Sequence, residues 1–188
     1  MPNCALFLDR DGTINEDPGY LGDPELVKIL PGVAEGISVL KTKYGFKIIV
    51  ISNQSGIARG LITYDQVNSV NNRINTLLSE QNAEIDVFYF CPYHPEFSSV
   101  EESKCRKPSP KMIFEAAEGN DIDLTRSYMV GDKALDVLCG INAGVKTILI
   151  NSETASEEIN SLKKELKSPN FVADNFLDAV NFIKQDFN

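Results

Sequence analysis

Short runs of β-branched and aromatic residues alternate along the chain with longer stretches whose apolar positions recur every three or four residues. The short runs predict strands at Ala5–Leu8, Lys47–Ile51, Ile85–Phe90, Ser127–Val130, Lys146–Ile150 and Phe171–Ala173. The longer stretches predict helices at Val33–Lys43, Tyr64–Ser79, Pro110–Ala117, Ala134–Ala143, Ser156–Leu166 and Phe176–Gln185. Thr63 with Gln66 forms a capping-box pattern, Pro110 suits a first helical turn, and Gly144 marks a helix end. ALFL, IIVI and TILI are continuous apolar runs, the mark of strands covered on both faces. Strand and helix alternating six times predict right-handed crossovers and an α/β fold with a doubly wound parallel sheet.

Two stretches, Asn15–Leu30 and Cys91–Ser109, read as irregular, and loops of that length in a compact domain usually carry function. In such sheets ligands bind at the carboxyl ends of the strands, so the residues just after each strand matter most. They are Asp9-Arg10-Asp11-Gly12-Thr13 after the first and Ser52-Asn53-Gln54-Ser55-Gly56 after the second. Cys105-Arg106-Lys107-Pro108 precede the third helix, and Gly131-Asp132-Lys133 with Asp136 follow the fourth strand. Each group alone is an ordinary polar turn or helix start. Their convergence on one edge of one sheet is not explained by packing.

Length and charge narrow the class. At 188 residues the chain is expected to be one domain, 1–188, with residues 91–109 as a loop over the site. The 18 basic and 27 acidic residues give a net charge of −9, which argues against non-specific nucleic-acid binding. No apolar run approaches a bilayer span, and MPNCALFLDRDG does not read as a signal peptide, so no membrane association and a cytoplasmic location are expected. The four cysteines, Cys4, Cys91, Cys105 and Cys139, then read as reduced thiols.

Three or four carboxylates in one cleft repel unless a hard cation sits among them, and Mg²⁺ is the natural one. Asp9, Asp11 and Asp132 are its candidate ligands, with Asp136 one layer out, orienting a water on the ion. A carboxylate beside such an ion and a cation is suited to attack phosphorus. Asp9 would be the nucleophile, and Asp11 would protonate the leaving oxygen and then activate water. Lys107 and Ser52 would stabilise the phosphoryl oxygens.

The strings DRDGT, Ser52 after the second strand, Lys107 before the third helix, and GDKALD resemble the four signatures of the haloacid dehalogenase superfamily of phosphatases, in order and across nearly the whole chain. That resemblance implies a Rossmann-like sheet and the roles assigned above. The spacings between signatures leave no room for a cap domain, so loops alone would close the site. DRDGTINEDPGY, SNQSGIARG, CPYHP and CRKP further resemble the histidinol-phosphate and heptose-bisphosphate phosphatase group, with SNQSGIARG similar to its heptose branch. This implies a small phosphorylated sugar as substrate: removal of the C7 phosphate of D-glycero-D-manno-heptose 1,7-bisphosphate. A monomer is expected. By the same match Asp17, Pro18, Gly19, Tyr20, Ser52, Asn53, Gln54, Ser55, Arg106, Lys107 and Lys133 would contact substrate, with Arg59 a further candidate.

The zinc-bearing members of that group use Cys-x-His and Cys-x-Cys pairs. Here His94 falls one residue late and Ser103 stands in place of a thiolate, so Cys91, His94 and Cys105 make an incomplete set and no structural Zn²⁺ is expected. Competing readings are a histidinol-phosphate or broader sugar-phosphate phosphatase and, outside enzymes, a phosphoacceptor switch. Asp11 speaks against the switch, which needs no acid or base.

Overall fold

The computed structural model describes residues 3–187. Six parallel strands form one sheet in the order β3-β2-β1-β4-β5-β6. They are β1 (Ala5–Leu8), β2 (Lys47–Asn53), β3 (Val87–Cys91), β4 (Tyr128–Gly131), β5 (Lys146–Ile150) and β6 (Phe171–Ala173). Helices α1 (Val33–Tyr44), α2 (Tyr64–Ser79), α3 (Val100–Ser103), α4 (Lys111–Asn120), α5 (Ala134–Ala143), α6 (Ala155–Lys164) and α7 (Phe176–Phe187) connect and flank them. This is the doubly wound α/β architecture that the alternation predicts, and no cap domain is inserted among the described residues.

The continuous apolar strands are covered on both faces. Leu6 and Leu8 join a core with Val33 and Ile37 of α1, Val70 and Ile74 of α2, and Val180 and Ile183 of α7. Ala5 and Phe7 point the other way, onto Met112 and Ile113 of α4 and Cys139 and Ala143 of α5. All four β1 residues are fully buried. Burial of this kind stabilises by roughly 25 cal/mol per Å² of apolar surface, so β1 is a firm support for whatever follows it.

Several boundaries differ from the sequence reading, each for a local reason. β3 starts at Val87 rather than Ile85 because Asp86 supplies the first rung itself: its Oδ2 accepts from the Ile48 N–H at 2.8 Å. Ser127 lies outside β4, and its Oγ accepts from the Ala5 N–H at 2.9 Å in place of a backbone carbonyl. β2 runs on to Asn53, pairing it with Cys91, and Pro110 caps α4 instead of entering it. The stretch read as irregular from Cys91 to Ser109 begins inside β3 and contains α3, whose capping box joins Ser99 and Glu102. The expected Thr63–Gln66 capping box and the Gly144 helix end are both present.

The thiol expectation needs correction. Cys91 and Cys105 are joined in a disulfide, while Cys4 and Cys139 are free and buried. The sequence places the two partners fourteen positions apart, but only the return of the chain after α3 brings Cys105 back to the end of β3.

Candidate active site

β1 has β2 on one side and β4 on the other, so the crossovers that leave β1 and β4 run in opposite directions and a crevice opens between them at the carboxyl ends. Asp9 is the first residue past β1, and its N–H still bonds the Val130 carbonyl at 3.0 Å. Ser52 and Asn53 end β2, and Gly131 ends β4 with Asp132 next. A cleft of about 360 Å³ lies over these ends. Asp9, Asp11, Ser52, Asn53, Gln54 and Ser55 line one part of it, and Asp17, Gly19, Tyr20, Arg106, Lys107, Lys133 and Asp136 the rest. Pro18 does not; it lines a separate surface groove with Leu21, Leu26 and Leu61. Gly56 and Leu135, which the sequence reading did not single out, also line the cleft.

Two glycines permit the close approach. Gly12 has φ +84°, and a Cβ there would lie 2.5 Å from an oxygen of Asp132. A Cβ on Gly131 would lie 2.2 Å from Oδ2 of Asp136. The chain can thus fold back over the carboxylates only where side chains are absent.

Asp9, Asp132 and Asp136 are buried, with one ligand atom from each within 4.8 Å of the others. Lys107 reaches into this group. Its Nζ lies 2.7 Å from Asp9 Oδ1 and 2.6 Å from Asp136 Oδ1, and it donates to the Ile51 carbonyl at 2.8 Å. Burial lowers the lysine's pKa, but Asp136 and Asp9 outweigh it, and the ammonium is held above its ordinary value. The carboxylates are less well compensated. Burial, with Asp136 adding to it against the opposing Lys107, raises Asp9 to about 6. Burial and then Asp9 raise Asp132 to about 7. Asp132 Oδ1 is buried with no hydrogen-bond partner. Hard oxygen donors, surplus negative charge and an orphaned carboxylate oxygen fit a divalent cation.

Asp11 stands apart from that group. Arg10 forks onto it, Nε to Oδ1 at 3.0 Å and Nη2 to Oδ2 at 2.8 Å. Asn15 Nδ2 donates to Oδ1 at 2.9 Å, and Gln54 Nε2 donates to Oδ2 at 2.9 Å. The carboxylates gathered with Asp9 are therefore Asp132 and Asp136, and Asp11 faces its four donors. Gln54 also donates to Ser52 Oγ at 2.8 Å, which ties the serine to the same network. Asn53 spends its amide on the Lys107 backbone, accepting from its N–H at 2.9 Å and donating to its carbonyl at 3.3 Å.

At the mouth, Asp17 Oδ2 pairs with Lys133 Nζ at 3.2 Å, bridging the loop after β1 to the start of α5. Arg106 is half-buried, and burial and the nearby Arg59 hold it below its ordinary pKa. Its Nη1 lies 3.5 Å from the Tyr93 carbonyl. His94 is engaged elsewhere, with Nε2 at 3.1 Å from Arg59 Nη2 and Nδ1 accepting from the Glu96 N–H. Cys91 and Cys105 are bonded to each other, so the trio Cys91, His94 and Cys105 is not assembled as a ligand set here.

The sequence reading missed Arg10 and Asn71. Arg10 looks like surface charge between two acids, yet it is only 1% exposed and its Nη1 bonds Asn71 Oδ1 at 3.2 Å. Asn71 did leave a signal: it falls on the buried stripe of α2 with Val67, Val70, Ile74 and Leu78, where a polar residue calls for a partner.

Comparisons with known proteins agree with this geometry. A family model described as HAD-hydrolase-like matches residues 104–179. A protein of Chlorobaculum tepidum named D-glycero-D-manno-heptose-1,7-bisphosphate 7-phosphatase is 40% identical over 185 residues, covering 94% of this chain and 92% of its own. An Escherichia coli protein named D-glycero-beta-D-manno-heptose-1,7-bisphosphate 7-phosphatase is 42% identical over 147 residues, 76% of each chain. A crystal structure of D,D-heptose 1,7-bisphosphate phosphatase from B. bronchiseptica, complexed with magnesium and phosphate, superposes with a TM-score of 0.84 at 27% identity, over 97% of this chain and 99% of that one. Sharing its sequence with such a relative over 94% of its length, and its sheet with the solved one, the chain belongs to the haloacid dehalogenase superfamily of phosphatases and is a phosphoric monoester hydrolase.

Proposed function

We propose that this enzyme removes the C7 phosphate of D-glycero-D-manno-heptose 1,7-bisphosphate through an aspartyl-phosphate on Asp9. The observation that carries the reading is the division of the cleft. The carboxylate–lysine group lies at the strand ends, and Arg106 lines the same cleft half-buried, with no carboxylate partner among the described residues. One part suits a phosphoryl group in transfer; the other suits a second phosphate that does not react. The names of the relatives supply the sugar.

In this reading Asp9 attacks phosphorus through one carboxylate oxygen while Lys107 holds the other. The bond from phosphorus to the C7 oxygen breaks, and Asp11 gives that oxygen its proton. Asp11, now a carboxylate, takes a proton from water. The water oxygen bonds to phosphorus, the bond to Asp9 breaks, and inorganic phosphate leaves. Lys107 and Ser52 stabilise the phosphoryl oxygens as charge shifts. Asp17, Gly19, Tyr20 and Lys133 border the sugar, and Asn53, which lines the same cleft, also holds the Lys107 backbone. Asp9, Asp132 and Asp136 would hold magnesium, which when bound neutralises charge on the phosphoryl oxygens and on these carboxylates. The loop 91–109 closes one side through Arg106 and Lys107.

Phosphate release from a panel of both heptose bisphosphate anomers, histidinol phosphate and fructose bisphosphate tests the substrate. A heptose bisphosphate is expected to give the highest kcat/KM. Preference for histidinol phosphate would overturn the assignment.

A further inference from the structure

The bulkiest side chain among the most deeply buried ones is a charged one, Arg10, at 1% exposure. Taking a guanidinium out of water is expensive unless its donors are met, and replacing such a group is strongly destabilising when a charge is left behind. The distribution of its bonds says what it does. Two donors go to the two oxygens of Asp11, one to Gln54 Oε1 at 3.2 Å and one to Asn71 Oδ1 at 3.2 Å. Asn71 stands on α2, 61 positions along the chain, and lies outside the cleft wall, as does Arg10.

We infer that Arg10, anchored by Asn71, is a positioning residue that fixes the plane of the Asp11 carboxylate for proton transfer. This rests on the acid–base role proposed above for Asp11. A carboxylate on one short side chain can turn about two bonds. A bidentate fork removes that freedom, because both oxygens must stay in the guanidinium plane. The fork is itself tied to α2, which packs on the β1 face through Val70 and Ile74, and this fixes its far end. The remaining donors on Asp11, Gln54 and Asn15, take the other lone pairs. Gln54 shares its amide with Ser52, so it is the donor that can yield to a leaving oxygen or a water while the fork stays in place. Neither Arg10 nor Asn71 lines the cleft. Their main effect is expected on the proton steps, and positioned proton transfer contributes roughly 10²–10⁴-fold to rate.

The test uses two variants, Asn71→Ala, which removes the anchor and keeps the charge pair, and Arg10→Lys, which keeps the charge and loses the fork. Each is checked for a wild-type thermal melt, then taken through a single turnover on an alkyl phosphate and on p-nitrophenyl phosphate. Nitrophenolate leaves without a proton, so its first turnover does not need Asp11 as acid. Both variants are expected to slow the alkyl first turnover by about tenfold or more, with the aryl first turnover within about twofold and KM unchanged. Equal slowing of both substrates, or of neither, overturns the inference. Asp11→Asn is run beside them to separate the two readings. If it slows only the alkyl substrate while the Arg10 and Asn71 variants do not, the positioning role alone fails. If Asp11→Asn also spares the alkyl substrate, the acid–base assignment itself is wrong.

Discussion

Asp9 and Asn differ by one atom in shape and by a full charge, so Asp9→Asn separates chemistry from folding. Lys107 keeps Asp136 as partner in the variant, and the β1 packing is untouched. Turnover is expected to fall on the order of 10⁶-fold, the scale seen when a nucleophile is removed, with the circular-dichroism melt near wild type. Activity close to wild type would end the covalent mechanism. Arg106 and Lys107 are sequence neighbours with separable effects. Lys107→Ala is expected to cut kcat, since it strands Asp9 and Asp136 and leaves the phosphoryl oxygens without their cation. Arg106→Ala is expected to raise KM for a bisphosphate more than for a monophosphate, measured as kcat and KM on both. Asp9, Ser52 and Asp132 were legible in the sequence because each follows a short apolar run, and Lys107 because it stands in a paired cation loop just before a helix. Arg10 was not. A charged residue within DRDG looks solvated until the fold shows which groups are there to satisfy it, and one of them lies on α2, far along the chain.

Between strands, legibility fell where a side chain does the work of the backbone. Asp86 and Ser127 each supply a hydrogen bond that a ladder would otherwise provide, and each moved a strand boundary that apolar runs alone could not locate. The stretch from β3 to α4 was the least legible element. Ser99 and Glu102 do spell a capping box, but a single turn of helix has too few residues for periodicity to register. Its pairing of Cys91 with Cys105 depends on where the chain returns, which spacing does not encode. That pairing closes a loop that ends one residue before Arg106. Thiol titration of the denatured, unreduced protein is expected to find Cys4 and Cys139 alone. Reduction is expected to lower stability by about 3 kcal/mol, as for closing a loop of this length, read from the denaturant midpoint. With both sulfurs used, protein purified without chelator or reductant is expected to carry no stoichiometric zinc; one zinc per chain by elemental analysis, lost on Cys105→Ser, would show that the thiolates serve a metal instead.

Across the whole molecule, the sheet that gives rigidity also forces like charges together. Parallel strands deliver their carboxyl ends to one edge, and three of the residues that follow are buried acids. The doubly wound order was readable because every strand is a short apolar run and every crossover a helix. The electrostatic consequence was only half readable, since burial, and not sequence spacing, sets how far each acid is shifted. In metal-free protein Asp9 is raised to about 6 and Asp132 to about 7, against an ordinary 3.8, with burial the main cause. At these two groups the folded protein thus binds more protons than the unfolded chain between about pH 4 and 7. By linkage, these two groups add stability below that window, and the contribution disappears as pH rises through their folded values. A cation that binds the ionised carboxylates competes with those protons. Magnesium should therefore raise the melting temperature more at pH 8 than at pH 5.5, in buffers of equal ionic strength. Exhaustive chelation at pH 8 should abolish phosphate release while the fold persists, and magnesium should restore it. A magnesium-induced shift that is independent of pH, or full activity after chelation, would mean that the acid cluster does not hold the ion. Asp132→Asn, which neutralises the acid whose Oδ1 has no partner, should flatten the pH dependence and weaken the magnesium response together.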